Sequence, residues 1–217
     1  MSFRRYILAS RSPRRLELLQ LIAHPDLIVV RPPESSDEAG FDDCLDLSSI
    51  RHRMLEIARH KAEQVRSQLN DDEASLYERP RTLIISADTT VIVNGFTGRP
   101  IVLGQPPDTD DWREIVREWF LNHYAGQTHT AATAVHVITP DGRSAERHVE
   151  TQVTFRPNIA PWLNWYLLTG EPRGKAGGYA LQGAGSVFIE RVEGSLSNVV
   201  GLPLEALLEL FAEVSLK

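Results

Sequence analysis

Five short segments of this chain carry residue types suited to phosphate chemistry. Leu8-Ala9-Ser10-Arg11-Ser12-Pro13-Arg14-Arg15 reads as a strand end, a polar turn and a helix start. Backbone N–H groups and the helix dipole at such an end attract phosphate, and paired arginines add forked donors. Ser12 as a helix cap, Pro13 as first helical residue and solvated arginines account for the same residues. Asp37-Glu38 sits in an acidic loop. Hard divalent cations take carboxylate oxygens, and Mg²⁺ usually takes only one or two from protein; a solvated acidic pair is the alternative. Ser86-Ala87-Asp88-Thr89-Thr90 places an aspartate in the most strand-like stretch. A carboxylate is disfavoured there unless it is paired, or unless the strand breaks. Glu171-Pro172-Arg173-Gly174-Lys175-Ala176-Gly177-Gly178-Tyr179-Ala180-Leu181-Gln182-Gly183 combines clustered glycines, which let backbone approach a ligand, with a lysine. The chain has three lysines, Lys61, Lys175 and Lys217, among 23 basic residues. Lys61 and Lys175 are therefore either positions that need a compact ammonium or chance survivors. Ser197-Asn198-Val199-Val200-Gly201-Leu202-Pro203-Leu204 is, by itself, a loop leading into a helix. The seven histidines lack metal-ligand spacing, there is no G-x-S-x-G or Walker lysine loop, and Cys44 lies in an acidic loop that does not activate a thiol.

The elements that must position these residues follow from periodicity. Tyr6–Ala9 and Leu27–Val30 read as short strands, with a helix from Pro13 whose apolar side is Leu16, Leu18, Leu19 and Ile22. Pro32–Asp46 is a loop, and Leu47–Leu69 a long helix with Ile50, Met54, Ile57, Ala58, Ala62 and Val65 at helical spacing. Asn70–Arg81 reads as a surface insertion and Thr82–Val93 as the strongest strand. Asp108–His123 should be helical. Thr128–Ile138 and Ala145–Phe155 flank Thr139-Pro140-Asp141-Gly142 and predict a hairpin. Asn158–Leu168 is expected to be a helix capped by Asn158, Val187–Val192 a strand and Leu204–Val214 a closing helix. Gly170–Gly185 marks a cleft or hinge. Strand and helix alternate around a central hairpin, which predicts an α/β fold with a mixed sheet.

Composition bounds the function. The 217 residues are 42% hydrophobic and 24% charged, as in an ordinary globular protein. No apolar run approaches the ~20 residues that span a bilayer, and Met1–Leu8 is not a secretory signal, so no membrane partner is expected. The single cysteine excludes a disulfide framework and fits a cytoplasmic location. The net charge is −6, yet residues 1–16 hold five arginines and no acid. Basic charge gathered at one end suits a small polyanion rather than a nucleic-acid polymer, though a solvated arginine-biased terminus would look the same.

In this order the segments resemble the Maf family, the septum-formation-type nucleoside triphosphate pyrophosphatases. LASRSPRRLELL is similar to that family's LASxSPRRxELL, Asp37-Glu38 to its acidic pair, and Ala58-Arg59-His60-Lys61-Ala62 to its A-x-x-K-A helix. Ala87-Asp88-Thr89 resembles its A-D-T. Gly126, His129 and Thr133 follow S-G-x-x-H-x-x-x-T, with Ala125 in place of the serine. The last two segments resemble E-P-x-D-K-A-G-x-Y-x-I-Q-G and E-G-x-x-S-N-V-V-G-L-P. The resemblance covers nearly the whole chain and implies one unit, residues 1–217, with two lobes about a mixed twisted sheet and a deep cleft. It implies hydrolysis of a nucleoside triphosphate to monophosphate and pyrophosphate with a divalent cation (Mg, Mn or Co), and a homodimer. Asp88, Glu38 and Lys61 then form the catalytic set, with Asp88 as proton acceptor and Glu38 and Asp88 as metal ligands. Ser10, Ser12, Arg14, Arg15, Thr89, Lys175 and Gln182 form the substrate-binding set. Arg14, Arg15, Lys61 and Lys175 are phosphate partners; Thr89 and Gln182 offer the donors and acceptors a pyrimidine edge needs. Arg14, Thr89 and Gln182 match the positions that characterise the dTTP/UTP branch.

Two positions depart from the pattern. Gly174 replaces the aspartate of E-P-x-D-K-A-G, and Gln105 replaces the lysine of G-K-P. One charge-assisted contact is worth roughly 1.5–3 kcal/mol, or about ten- to a hundredfold in rate. A catalytically weakened, nucleotide-binding regulatory protein is therefore the alternative from another class. A 7-methyl-GTP pyrophosphatase is disfavoured by the Arg14, Thr89 and Gln182 trio.

Overall fold

The computed structural model describes residues 5–35, 39–69, 82–95, 97–139 and 142–216. The sheet is mixed, as expected. Strands β1 (Arg5–Leu8), β2 (Ile28–Val30), β3 (Thr82–Asn94), β4 (Pro100–Leu103), β5 (Thr128–Ile138), β6 (Ser144–Phe155) and β7 (Ile189–Glu193) form one seven-stranded sheet in the order β2-β1-β3-β5-β6-β7. Strand β1 pairs parallel with β2 and β3, and the remaining pairs are antiparallel. The expected hairpin is β5–β6, joined in register from Thr128 opposite Thr154 to Ile138 opposite Ser144.

Strand β4 was not foreseen, and it shapes the molecule. It pairs with β3 along the same edge as β1, but further on: β1 covers Thr82–Ile85 and β4 covers Val91–Asn94. Between them, Ser86–Thr90 have strand pairing only on the β5 side. This gap divides that sheet edge in two. Successive side chains of a strand point to opposite faces. Ile84, Ser86, Asp88 and Ile92 therefore share one face with helix α2 (Leu47–Gln68), while Leu83, Ile85, Ala87, Thr89 and Val91 share the other.

On that second face one apolar cluster packs α1 (Pro13–Gln20) and α6 (Leu204–Leu216) against Tyr6, Leu8, Leu83, Ile85 and Ala87. A second gathers Val91, Val93, Phe120, Tyr124, Phe155, Tyr166 and Phe188 under α3 (Trp112–Trp119) and α4 (Ala160–Leu168). Helix α2 starts from a reciprocal cap, with Asp46 Oδ1 accepting the Ser49 N–H at 2.8 Å, and buries the six apolar residues read from its periodicity.

Several boundaries differ from expectation. Leu27 belongs to a 3₁₀ turn, Pro25–Leu27, ahead of β2. The expected Asp108–His123 helix begins only at Trp112 and ends in a π-helical turn, Phe120–Tyr124, that turns Phe120 and Tyr124 into the core. Asn158 caps nothing: α4 starts after Ile159 without a side-chain cap, with Pro161 in its first turn. A short helix α5 (Leu196–Val200), capped by Ser195, occupies what read as a loop. The insertion Asn70–Arg81 lies outside the described residues. Among the described residues, no helix is long and apolar enough to cross a membrane.

Candidate active site

The sheet-edge gap opens into a cleft of about 730 Å³ lined by four of the five segments read from the sequence, with Asp88 inside it. Strand β3 runs unbroken through Asp88, which is 7% exposed. The carboxylate is tolerated because it is paired: Lys61 Nζ, from α2 on the same face, donates to Asp88 Oδ1 at 2.7 Å. Ser86, one pleat earlier, donates to the Ala58 carbonyl at 2.5 Å and helps fix α2 to the strand.

The two adjacent arginines separate into different tasks. Ser12 caps α1 and Pro13 opens it, as expected. Arg15 then donates from Nε to the Gly201 carbonyl (2.9 Å), from Nη1 to Ser10 Oγ (3.3 Å) and from Nη2 to Thr89 Oγ1 (3.0 Å). Its guanidinium thereby staples the α1 turn to β3 and to the α5–α6 connection. Arg14 also lines the cleft, and among the described residues its guanidinium has no hydrogen bond or ion pair. Of the two, Arg14 is the one available to an anion. Thr89 is engaged as well: besides accepting from Arg15, its hydroxyl shares a hydrogen bond with Thr133 at 3.0 Å. Thr133 in turn meets the Asn198 carbonyl at 3.3 Å, and Asn198 Nδ2 donates to Ala131 and Thr151. Sequence reading assigned Arg15 to phosphate and Thr89 to the base. The structure gives both side chains partners within the protein. Ser10 is buried at the cleft wall, where its Oγ accepts from Arg15 and from the Ser12 N–H.

The glycine-rich segment forms the facing wall with Gly174, Lys175, Tyr179 and Gln182. Buried aromatic groups fix its backbone. Tyr124 donates to the Gly177 carbonyl (2.9 Å), Tyr166 to the Gly178 carbonyl (3.0 Å), and His129 Nε2 lies 2.8 Å from the Tyr179 hydroxyl. Burial pushes the His129 imidazole down to about 3, so it is neutral. Lys175 Nζ donates to the Glu171 carbonyl at 2.6 Å. Burial first, then the positive charge of Arg14, pull the Lys175 ammonium below its ordinary range. Two cations from opposite walls thus repel across the cleft, an arrangement that an anion between them relieves. Gln182 is exposed and has no hydrogen bond among the described residues.

Glu38, expected as a catalytic and metal-binding residue, lies outside the described residues. Among the described residues no three His, Cys, Asp or Glu side chains converge as a metal cluster. Among the described residues, Asp88 is the one carboxylate that lines the cleft. That donor set fits a hard divalent cation of the Mg²⁺ type, which takes one or two carboxylates and otherwise substrate phosphates and water. The departures Gly174 and Gln105 both line the cleft. Gly174 has φ +68°, and a Cβ built there meets nothing within 4 Å. Arg173 is engaged by Asp108. Sequence reading passed over Glu171, whose carboxylate organises the turn after Gln182. The available signal was a carboxylate beside a run of glycines, whose N–H groups need acceptors.

A family model described as Maf-like protein matches residues 5–214. A protein named dTTP/UTP pyrophosphatase from Anaeromyxobacter sp. (strain Fw109-5) is 38% identical over 216 residues, covering 97% of this chain and 89% of its own. One of the same name from Pyrococcus horikoshii is 36% identical over 204 residues, 94% of each chain. Among solved structures, a HAM1 protein from Coxiella burnetii is similar over 100% of both chains, with 14% identity and a TM-score of 0.48. With a family match that runs from the first strand into the last helix, the chain belongs to the Maf family.

Proposed function

We propose that this protein is a nucleoside triphosphate pyrophosphatase that hydrolyses dTTP and UTP, or modified pyrimidine nucleotides, to the monophosphate and pyrophosphate. The observation that carries the reading is the Asp88–Lys61 pair set in a sheet-edge gap, in a cleft also lined by Lys175 and by Arg14, whose guanidinium has no partner among the described residues. Relatives named dTTP/UTP pyrophosphatase support the substrate class.

Asp88 acts as general base. It takes a proton from a water aligned on the α-phosphorus while Lys61 holds Oδ1 in place. The water oxygen bonds to phosphorus, the bond to the α–β bridging oxygen breaks, and its electron pair leaves with pyrophosphate. Arg14 and Lys175 bind the triphosphate and offset the charge on its oxygens. A divalent cation (Mg, Mn or Co), held by Asp88 and Glu38, supplies further charge neutralisation when bound. Gln182 meets the base, while Ser12 shapes the phosphate turn and Ser10, Thr89 and Arg15 hold the wall. We place the activity in the cytoplasm, in a homodimer whose subunits each act as one unit over residues 1–217.

A second reading, a nucleotide-binding regulator with little turnover, is favoured by Gly174 and Gln105, which leave the cleft without a carboxylate and a cation that the family pattern has. Pyrophosphate release measured over UTP, dTTP, CTP, GTP and 7-methyl-GTP with Mg²⁺, Mn²⁺ or Co²⁺ separates them. Turnover of UTP and dTTP above the others is expected. Tight nucleotide binding without turnover would favour the regulator, and preference for 7-methyl-GTP would overturn the pyrimidine assignment.

A further inference from the structure

We propose that Glu171 is the positioning residue of base recognition: its carboxylate fixes the turn that follows Gln182, and through it the place of the Gln182 amide. The proposal rests on the nucleotide-binding reading of the cleft.

Gln182 has an exposed side chain with no hydrogen bond among the described residues. Its own backbone therefore sets where the amide can reach. That backbone runs directly into Gly183-Ala184-Gly185, where Glu171 Oε2 accepts the Ala184 N–H at 2.6 Å and Oε1 accepts the Gly185 N–H at 2.8 Å. Tyr166 Oη also lies 3.3 Å from Oε1. A carboxylate that accepts two backbone donors holds them more firmly than a neutral acceptor does. The fit is close: a Cβ built on Gly183 would stand 2.3 Å from Glu171 Oε2. Gly183 is therefore small because the carboxylate occupies the space above it. Glu171 also serves the other end of the loop through its main chain, since its carbonyl accepts from Lys175 Nζ. The carbonyl makes the hydrogen bond to Lys175, whereas the carboxylate reaches that ammonium only through its charge, which favours the protonated form. Changing the side chain releases the Gln182 turn and leaves the Lys175 contact formed.

Uracil and cytosine present opposite donor and acceptor patterns along one edge, so telling them apart requires an amide held in place rather than merely nearby. Loosening the turn should cost discrimination more than triphosphate affinity.

The test uses the full chain as wild type, Glu171→Gln, Glu171→Ala and Gly183→Ala. Equilibrium binding of α,β-methylene-UTP and α,β-methylene-CTP with Mg²⁺ is measured together with thermal unfolding. Glu171→Gln keeps one carbonyl acceptor for two donors, Glu171→Ala keeps none, and Gly183→Ala displaces the intact carboxylate. We expect the preference for the uridine analogue to fall by about tenfold in Glu171→Gln, and further in the other two, in variants that still unfold cooperatively. A merely structural role would lower the unfolding midpoint, or weaken both analogues alike, and leave their ratio unchanged. An unchanged ratio in all variants overturns the proposal, and so does a wild-type protein that fails to distinguish or to bind the analogues. Wild-type turnover of UTP is measured separately. Its absence with discrimination intact would sink the hydrolase reading and leave the role of Glu171 standing.

Discussion

Asp88 is a carboxylate in the middle of a strand, buried and bonded to one ammonium. Removing its charge while keeping its shape isolates its chemistry, so Asp88→Asn should abolish turnover and leave the unfolding midpoint near that of the wild type; an active variant would remove Asp88 from the mechanism. The neighbouring arginines give a sharper contrast. Arg14 has no partner among the described residues, whereas Arg15 donates to Gly201, Ser10 and Thr89. If Arg14 binds the triphosphate as proposed, Arg14→Ala should raise KM for UTP about ten- to a hundredfold, the worth of one charge-assisted contact, with little change in stability. Arg15→Ala leaves Thr89, Ser10 and the Gly201 carbonyl short of a donor. It should cost about 1–3 kcal/mol and lower the midpoint by several degrees. Kinetics and calorimetry on the two variants check the split, and a reversed pattern would contradict it. The doublet Arg14-Arg15 could not be divided this way from sequence. Adjacent helix positions differ in direction by about 100°, and which of them meets β3 depends on a strand seventy residues away.

At the scale of elements, the cleft exists because β1 and β4 share one edge of β3 without meeting. Strand β3, helix α2 and the β5–β6 hairpin were legible because period and turn chemistry are local properties. The gap was not, because it arises from long-range pairing of β4, four residues with no periodicity of their own. The motif residues Asp88, Lys61, Arg14, Lys175 and Gln182 were readable as types in order, and the structure puts all five on one cleft. Their hydrogen-bond partners were unreadable, since contacts such as Arg15 to Gly201 join distant segments. The glycine-rich wall carries a prediction of its own. Gly174 has a left-handed backbone but open space beside it, and Arg173 is already held by Asp108. Gly174→Asp should therefore lower stability by about 1–2 kcal/mol through its φ, while the new carboxylate, next to Lys175, raises turnover. Gln105→Lys should raise turnover without that cost. Steady-state rates of both variants and the double, beside their unfolding midpoints, test this. Unchanged or lower turnover in all three would mean that this wall works differently from the family pattern.

For the whole molecule, the buried histidines weaken the fold as pH falls. His129 titrates near 6.5 when unfolded and about 3 when folded, because burial disfavours its charged form. The unfolded chain therefore binds the extra proton between these values. The stability that His129 contributes is complete above pH 6.5 and is lost as pH falls toward 3. At pH 5 the loss is about 2 kcal/mol. His136 and His148, also lowered by burial, act in the same direction. Denaturant unfolding at pH 7 and pH 5 should show this drop, and His129→Gln should flatten it. The central claim concerns which phosphorus is attacked. Hydrolysis of UTP by the wild-type protein in water enriched in heavy oxygen, with products separated and weighed by mass spectrometry, tests it most directly. The expected products are labelled UMP and unlabelled pyrophosphate. Formation of UDP and phosphate, or label in the pyrophosphate, would contradict it.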